Sequence, residues 1–231
     1  MEERKIVNLK KEEFAIREHI KKNLGKGRIS RVRVEYTPVG EKIIISTTKP
    51  GLIIGRSGER IDEITKNLKS IFKFENPHVE IDEIREPEFD AQTIADEIAT
   101  SLEKTGPLKF KVIAYRTLQK IMRAGAFGAE IRISGKIPGA RAKTWRFSQG
   151  YLKKVGDSAK VVDRAKATAQ TRPGVVGIKV GILSPYAKLS DRIEINEEFM
   201  SKIRSISEKL KEESVEMEKP KTKKKTSRRK E

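Results

Sequence analysis

The spacing of apolar and polar positions divides the chain into two dissimilar blocks. In the first, Glu12 to Leu24 can form a helix with Phe14, Ile16, Ile20 and Leu24 as its apolar residues, and Gly25-Lys26-Gly27 ends it. Residues before about 10 read as a loose leader. Ser30 to Tyr36 alternates, with Val32, Val34 and Tyr36 on one face and Arg31, Arg33 and Glu35 on the other. Lys42 to Thr48 alternates again after a turn at Pro38-Val39-Gly40. Ile61, Ile64, Leu68, Ile71 and Phe72 then mark one face of a helix, and His78 to Ile84 alternates with Val79 and Ile81 on one side. The order is helix, strand, strand, turn-helix, strand.

The second block begins where Pro87 breaks the pattern. Asp90 is an N-cap for a helix carrying Ala91, Ile94, Ala95, Ile98, Ala99 and Leu102, and Thr105-Gly106-Pro107 ends it. A second helix from Leu108 to Ala124 has an apolar arc of Phe110, Ile113, Ala114, Thr117, Leu118, Ile121 and Met122. Its other arc holds Lys109, Lys111, Arg116, Lys120 and Arg123, with Tyr115 and Gln119 among them. After Gly125 the period becomes two. Ile131 and Ile133 flank Arg132, Ala142 to Ser148 carries Trp145 and Phe147 around Arg146, and Ile178, Val180 and Ile182 flank Lys179. Val161 to Gln170 also alternates, although its alanines suit a helix as well. The alternation assigns Trp145 and Phe147 to the core. Two helices followed by a four-stranded, mostly antiparallel sheet result. Phe199 to Leu210 reads as a short helix, and Lys219 to Lys230 as a basic run that cannot build a core.

Between the second and third strands of the first block stands Gly51-Leu52-Ile53-Ile54-Gly55-Arg56-Ser57-Gly58-Glu59-Arg60-Ile61. A Gly-x-x-Gly tetrapeptide alone is no more than a turn. Here an apolar run leads in, an amphipathic helix leads out, and the flanking order is that of a type II KH domain, which clamps a single-stranded nucleic-acid backbone. Gly55 and Gly58 let the main chain approach a phosphate with no Cβ in the way. Helix-opening amides face it, Arg56 and Arg60 add cations, and Ser57 adds a small hydroxyl. The fold class is therefore α+β: a type II KH domain, a two-helix, four-stranded antiparallel domain and a basic C-terminal tail. The expected boundaries are 1–16 for the leader, 17–86 for the KH domain, 87–187 for the second domain and 188–231 for the extension.

Charge narrows the partner. Lys and Arg outnumber Asp and Glu by 51 to 33 in 231 residues, giving a formal charge of +18. Such a chain meets a polyanion, nucleic acid first and an anionic membrane surface second. No stretch approaches the ~18 apolar residues of a membrane span, and no secretory leader opens the sequence. The chain has no cysteine, and its only histidines, His19 and His78, lack partners at metal-ligand spacing. No metal and no cofactor is expected, and the composition suits a cytoplasmic protein. The basic run from Lys219 is either a solvated tail or an arm that condenses on RNA, and the net charge favours the arm.

Two further motifs carry a resemblance. They are Met122-Arg123-Ala124-Gly125-Ala126-Phe127-Gly128-Ala129-Glu130-Ile131-Arg132-Ile133-Ser134-Gly135-Lys136-Ile137-Pro138-Gly139-Ala140-Arg141-Ala142 and Arg172-Pro173-Gly174-Val175-Val176-Gly177-Ile178-Lys179-Val180. With the Gly-Arg-Ser-Gly loop, residues 10 to 187 closely resemble the universal small-subunit ribosomal protein S-three family in its archaeal form. The resemblance implies a place on the head of the small subunit where mRNA enters. Its implied partners are small-subunit rRNA, incoming mRNA and neighbouring head proteins, with no membrane. It also implies that basic residues of the second domain's second helix help to open structured mRNA. Bacterial and eukaryotic members of the family resembled have an Arg-Arg pair where this chain reads Lys111-Val112, so one charge is kept and one lost. Lys109, Arg116 and Lys120 share that helix and offer compensation, which leaves retention of unwinding open. Arg132, Lys136, Arg141, Lys143 and Arg146 are candidate rRNA contacts on the strands.

The expected function is a structural, non-enzymatic component of the ribosome. A free KH-type regulator would share the clamp without needing the second domain's basic helix. A DNA-repair nuclease would need clustered carboxylates around a metal or a nucleophile beside an acid. The acidic run Asp82, Glu83, Glu86, Glu88 and Asp90 reads as solvated linker instead.

Overall fold

A computed structural model describes residues 2–189 apart from 26, 39, 73 and 75, together with residues 200, 201, 203 and 205–207. The chain divides into two compact units, Met1–Leu189 and Ser190–Glu231. Of the second unit, the described residues between 200 and 207 are helical, where the short helix was expected. The basic run from Lys219 lies outside the described residues.

The first unit opens with helix α1, Glu2–Leu24, which is 23 residues long. The loose leader expected before residue 10 is thus helical. The stretch contains neither glycine nor proline, and the Lys10–Glu13 and Arg17–Glu13 pairs stand at helical spacing. Ile16, Ile20 and Leu24 are buried. Phe14, the fourth apolar residue of this stretch, is 63% exposed. Two residues turn a helix by about 200°, so Phe14 and Ile16 cannot share a face.

Strands β1 (Arg31–Thr37) and β2 (Gly40–Thr47) pair antiparallel, and β3 (His78–Glu83) joins β2 in parallel. The sheet order is β1-β2-β3. A parallel neighbour needs a crossover connection. Two helices supply it, α2 (Pro50–Ile54) and α3 (Glu59–Phe72), with the Gly55–Gly58 loop between them. The apolar lead-in to the loop is therefore a helical turn, started by Pro50 in a first-turn position and anchored by buried Ile53. Ile64 and Leu68 of α3 join Ile16, Ile20, Ile43 and Ile45 in one core. Ile71 stays exposed, and Phe72 stacks on Phe74 with ring centroids 5.9 Å apart.

A second core lies beneath α4 (Ala91–Thr105) and α5 (Phe110–Arg123), both on one face of the antiparallel sheet β5-β4-β7-β6. Its strands are β4 (Gly128–Gly135), β5 (Lys143–Gly150), β6 (Asp163–Thr171) and β7 (Gly174–Leu183). The ambiguous alanine segment resolves as β6, preceded by a short 3-10 turn at Asp157–Val161. Ala165 and Ala169 point inward, and α4 packs against β6 and β7 through Ala91, Ala95 and Ala99. Small residues on both partners let helix and sheet approach closely, which is what the alanines serve. Phe147 is buried as expected, and Trp145 is half-buried with its ring 5.6 Å from Phe110.

The two cores meet at a seam of carboxylates. Asp90 caps α4 by accepting from the Thr93 amide at 2.8 Å, and its other oxygen accepts from the Ser30 hydroxyl at 2.6 Å. Asp163 accepts from the Ala91 amide at 3.0 Å and from Arg31 at 3.4 Å. Asp96 accepts from the Gly27 amide at 3.3 Å. The acidic run is thus more than solvated linker. Asp82 accepts from Ser46, Glu86 from Tyr186, and Glu88 lies 3.8 Å from Lys120.

Asp90→Ala removes a helix cap and the Ser30 bond together, and is expected to lower unfolding free energy by about 1–2 kcal/mol. Asp82→Ala, at an exposed strand position, is expected to stay within about 0.5 kcal/mol of wild type. Urea unfolding midpoints of the two variants make the comparison.

Candidate nucleic-acid interface

The Gly55–Gly58 loop is held open by its backbone. Gly55 has φ 74° and ψ −171°, a conformation that essentially only glycine adopts. A Cβ there would meet the Arg60 side chain at 3.1 Å. Ser57 has φ 49° and is the one non-glycine residue with positive φ among the described residues. Gly58 follows at φ 87°. Arg56 and Ser57 are exposed on this turn, immediately before the first amides of α3. Arg60 points back across the loop and donates to the Leu52 carbonyl at 2.8 Å, so it ties α3 to α2. Of the five loop candidates, Arg56 supplies the outward cation and Arg60 braces the turn that presents it. Glu59 and Asp62 occupy the first turn of α3, where they complement its dipole.

The basic arc of α5 separates into two groups. Lys111 and Arg116 are five residues apart, so they point about 140° from each other. Lys111 turns toward β5 and places its ammonium 4.7 Å above the Trp145 ring. Arg116, Lys120 and Arg123 instead line a groove shared with Glu97, Ser101 and Thr105 of α4. Lys120 lies 3.4 Å from Glu97, which neutralises part of that groove. Lys109 is exposed in the 3-10 turn that precedes α5. Val112 is 66% exposed, so the position after Lys111 faces outward but carries no charge.

The strand candidates also separate. Lys136 and Arg141 are exposed in the connection between β4 and β5, and Lys143 opens β5 opposite Gly135. Arg132 and Arg146 face each other across β4 and β5, on the side of the sheet away from the helices. Between them is Glu130, whose side chain is only 6% exposed. It accepts from the Arg132 Nε, from the Arg146 guanidinium at 3.1 Å, and pairs with the Lys154 Nζ at 3.2 Å. Burial pushes this carboxyl up. Hydrogen bonds from Arg132 and Lys154 and the charges of Arg132 and Arg146 outweigh burial and hold it below the ordinary carboxylate value. Neither Glu130 nor Lys154 was among the residues expected from sequence. Glu130 sits at an outward position of a strand whose outward set is otherwise Gly128, Arg132 and Ser134, and a lone acid beside an arginine was its only signal.

Two family models match the chain. One, described as the C-terminal domain of ribosomal protein S3, covers residues 98–182. The other, described as KH domain, covers residues 15–89. Among curated relatives, the small ribosomal subunit protein uS3 of Methanocaldococcus jannaschii is 40% identical over 199 residues, 86% of this chain and 95% of the relative. The uS3 protein of Methanosphaera stadtmanae is 40% identical over 183 residues, 79% of this chain and 72% of the relative. That of Natronomonas pharaonis is 37% identical over 184 residues, 79% of this chain and 60% of the relative.

The Glu130 cluster makes stability sensitive to acid. A carboxyl depressed below its ordinary value of 4.5 contributes fully above that value and loses its contribution as pH falls through the lowered one. Glu130→Gln is therefore expected to melt lower than wild type at neutral pH, and the difference is expected to shrink on acidification below 4.5. Thermal melts of both proteins across that window measure it. A constant difference would show that Glu130 acts through shape alone.

Proposed function

This chain belongs to the small ribosomal subunit protein uS3 family in its archaeal form, and from that premise we propose that it binds small-subunit rRNA and helps to form the site where mRNA enters. The family's members are structural components of the ribosome and not enzymes. The observation that carries the RNA reading is the Gly55–Gly58 turn. Its left-handed backbone, exposed Arg56 and Ser57, and adjacent helix-opening amides offer an anion a main-chain cradle with one cation beside it. In this reading residues 17–86 form the RNA-clamping KH domain, and residues 87–187 form the second domain. Lys136, Arg141 and Lys143 give the β4–β5 connection a basic tip for rRNA.

On α5, incoming mRNA meets the groove side. Arg116 and Arg123 face that groove, whereas Lys111 is engaged by the Trp145 ring and Lys120 is shared with Glu97. Cations there bind separated strands and oppose re-annealing. Neighbouring proteins of the subunit head complete the proposed surroundings.

Replacing Arg56 and Ser57 with aspartates puts two anions where the proposed phosphate lies, while both glycines remain. The fold is expected to survive, since both side chains are exposed. Binding of a short single-stranded RNA is expected to fall about tenfold or more, equal to ~1.4 kcal/mol or above. Fluorescence anisotropy makes the measurement. Wild-type affinity in the double variant would reduce the loop to a plain turn.

A further inference from the structure

The side of the β5-β4-β7-β6 sheet that faces away from the helices carries a row of cations that neither the KH loop nor the α5 groove includes. The strand registers place Arg146 opposite Arg132, Arg132 opposite Lys179, and Lys179 opposite Lys166. One cation therefore stands on each of four adjacent strands, in a line that crosses the whole sheet. At ~4.8 Å between strands the line spans about 14 Å. Like charges directly opposite each other on neighbouring strands destabilise a sheet. Three such pairs in succession are a standing cost to the protein alone.

Glu130 relieves that cost only at one end, where it holds Arg132, Arg146 and Lys154. It is the sole carboxylate among the outward positions of the four strands. Lys166 and Lys179 have no carboxylate within ion-pair distance among the described residues. Arg164 lies one pleat along from Lys166 and adds to the same end. These residues border a concavity of about 350 Å³.

We propose that this row is a second RNA-binding surface, which takes several consecutive phosphates of an RNA backbone across the sheet. Three observations favour RNA over an acidic protein segment. On the side of the row away from Glu130 and Arg164 the flanking positions are Ser134, Thr144, Thr168 and Gly177, which are small, and Arg132, Arg146, Lys166 and Lys179 are themselves exposed to a backbone. No aromatic side chain stands among the outward positions of β4, β6 and β7 to anchor a protein partner. The cations stand in a line, as the charges of a phosphodiester chain do. Glu130 fixes the two arginines at one end, so the phosphates meet preset guanidinium groups there and ammonium groups at the other. This surface lies on the second domain and is separate in sequence from the loop.

The proposal rests on the reading that the chain binds RNA, and its test separates the two. The probe is a fluorescein-labelled oligouridylate, titrated with full-length protein between about 50 and 200 mM salt. Lys166→Gln with Lys179→Gln removes two phosphate partners at exposed positions. The double variant is expected to lose about tenfold in affinity at the low-salt end. Its salt slope is expected to fall by roughly 1.4, at ~0.7 per contact on a single strand. Lys179→Gln alone is expected to give about half that change in slope, and it guards against a folding defect in the double variant. Melting temperatures should hold or rise, because the substitutions relieve repulsion. The losses should add to those of the Arg56 and Ser57 aspartate variant, as independent sites do. A sheet variant that binds oligouridylate with the wild-type slope, while the loop variant binds weakly, overturns this inference and leaves the RNA reading standing. The inference falls in the same way if the sheet variant loses only binding to polyglutamate, used as a second probe. A wild-type chain that does not bind oligouridylate overturns the RNA reading itself, and this surface with it.

Discussion

Repulsion among cations is the constraint to which this fold answers. A chain with a formal charge of +18 must bring its lysines and arginines close together when it folds. Its buried and half-buried carboxylates stand where that crowding coincides with structural need. Glu130 joins three cations on the outer face of the sheet. Asp163 joins Arg31 of the first core to the start of α4 in the second. Glu88 and Glu97 lie on either side of Lys120. The bonds that Glu130 accepts tie β4 to β5, and those that Asp163 accepts fix the start of α4 and the seam between cores. The cations left over gather at the Gly55–Gly58 turn, on the groove side of α5, around the β4–β5 connection and on the outer sheet face. A polyanion relieves each of these places, so the electrostatics of folding and of binding are continuous.

The glycine turn adds a backbone condition to the electrostatic one. Gly55 occupies a region closed to side chains, and Ser57 takes a left-handed conformation that a serine adopts at some cost. Arg60 braces the turn through the Leu52 carbonyl. Strain of this kind persists only where its surroundings fix it, here α2 on one side and α3 on the other. The two cores, joined through Asp90, Asp96 and Asp163, hold this turn and the basic second domain in one compact unit.

Much of this was legible in the sequence because period-two and period-3.6 patterns are local. The strands β1 to β3, the helices α4 and α5, the Asp90 cap and the inward side of the second sheet follow from spacing alone. The start of α1 did not, since Ile6, Val7 and Leu9 are exposed and leave no buried stripe to read. Phe14, two residues from Ile16 and so on another face of the helix, is exposed. The identity of β6 waited on its neighbours, as an alanine run is equally at home under a helix or within one. Individual cations were visible, but their grouping was not. Helical spacing alone separates Lys111 from Arg116, but the ring that engages Lys111 is known only once Trp145 is placed beside it. Arg132, Arg146, Lys166 and Lys179 become a row only once strand order and register are known. Those are long-range facts, which no window of sequence contains.

A cation-rich fold with several separate basic surfaces suits a fixed part of the small ribosomal subunit better than a free regulator that visits RNA. Sedimentation of a cell lysate through a sucrose gradient, after a wash in moderate salt, distinguishes the two. Salt of that strength releases proteins held by a few screened phosphate contacts and retains one that is built in through several surfaces. Nearly all of the chain is expected to migrate with small subunits after the wash. A pool found mainly at the top of the gradient would contradict its place as a built-in component.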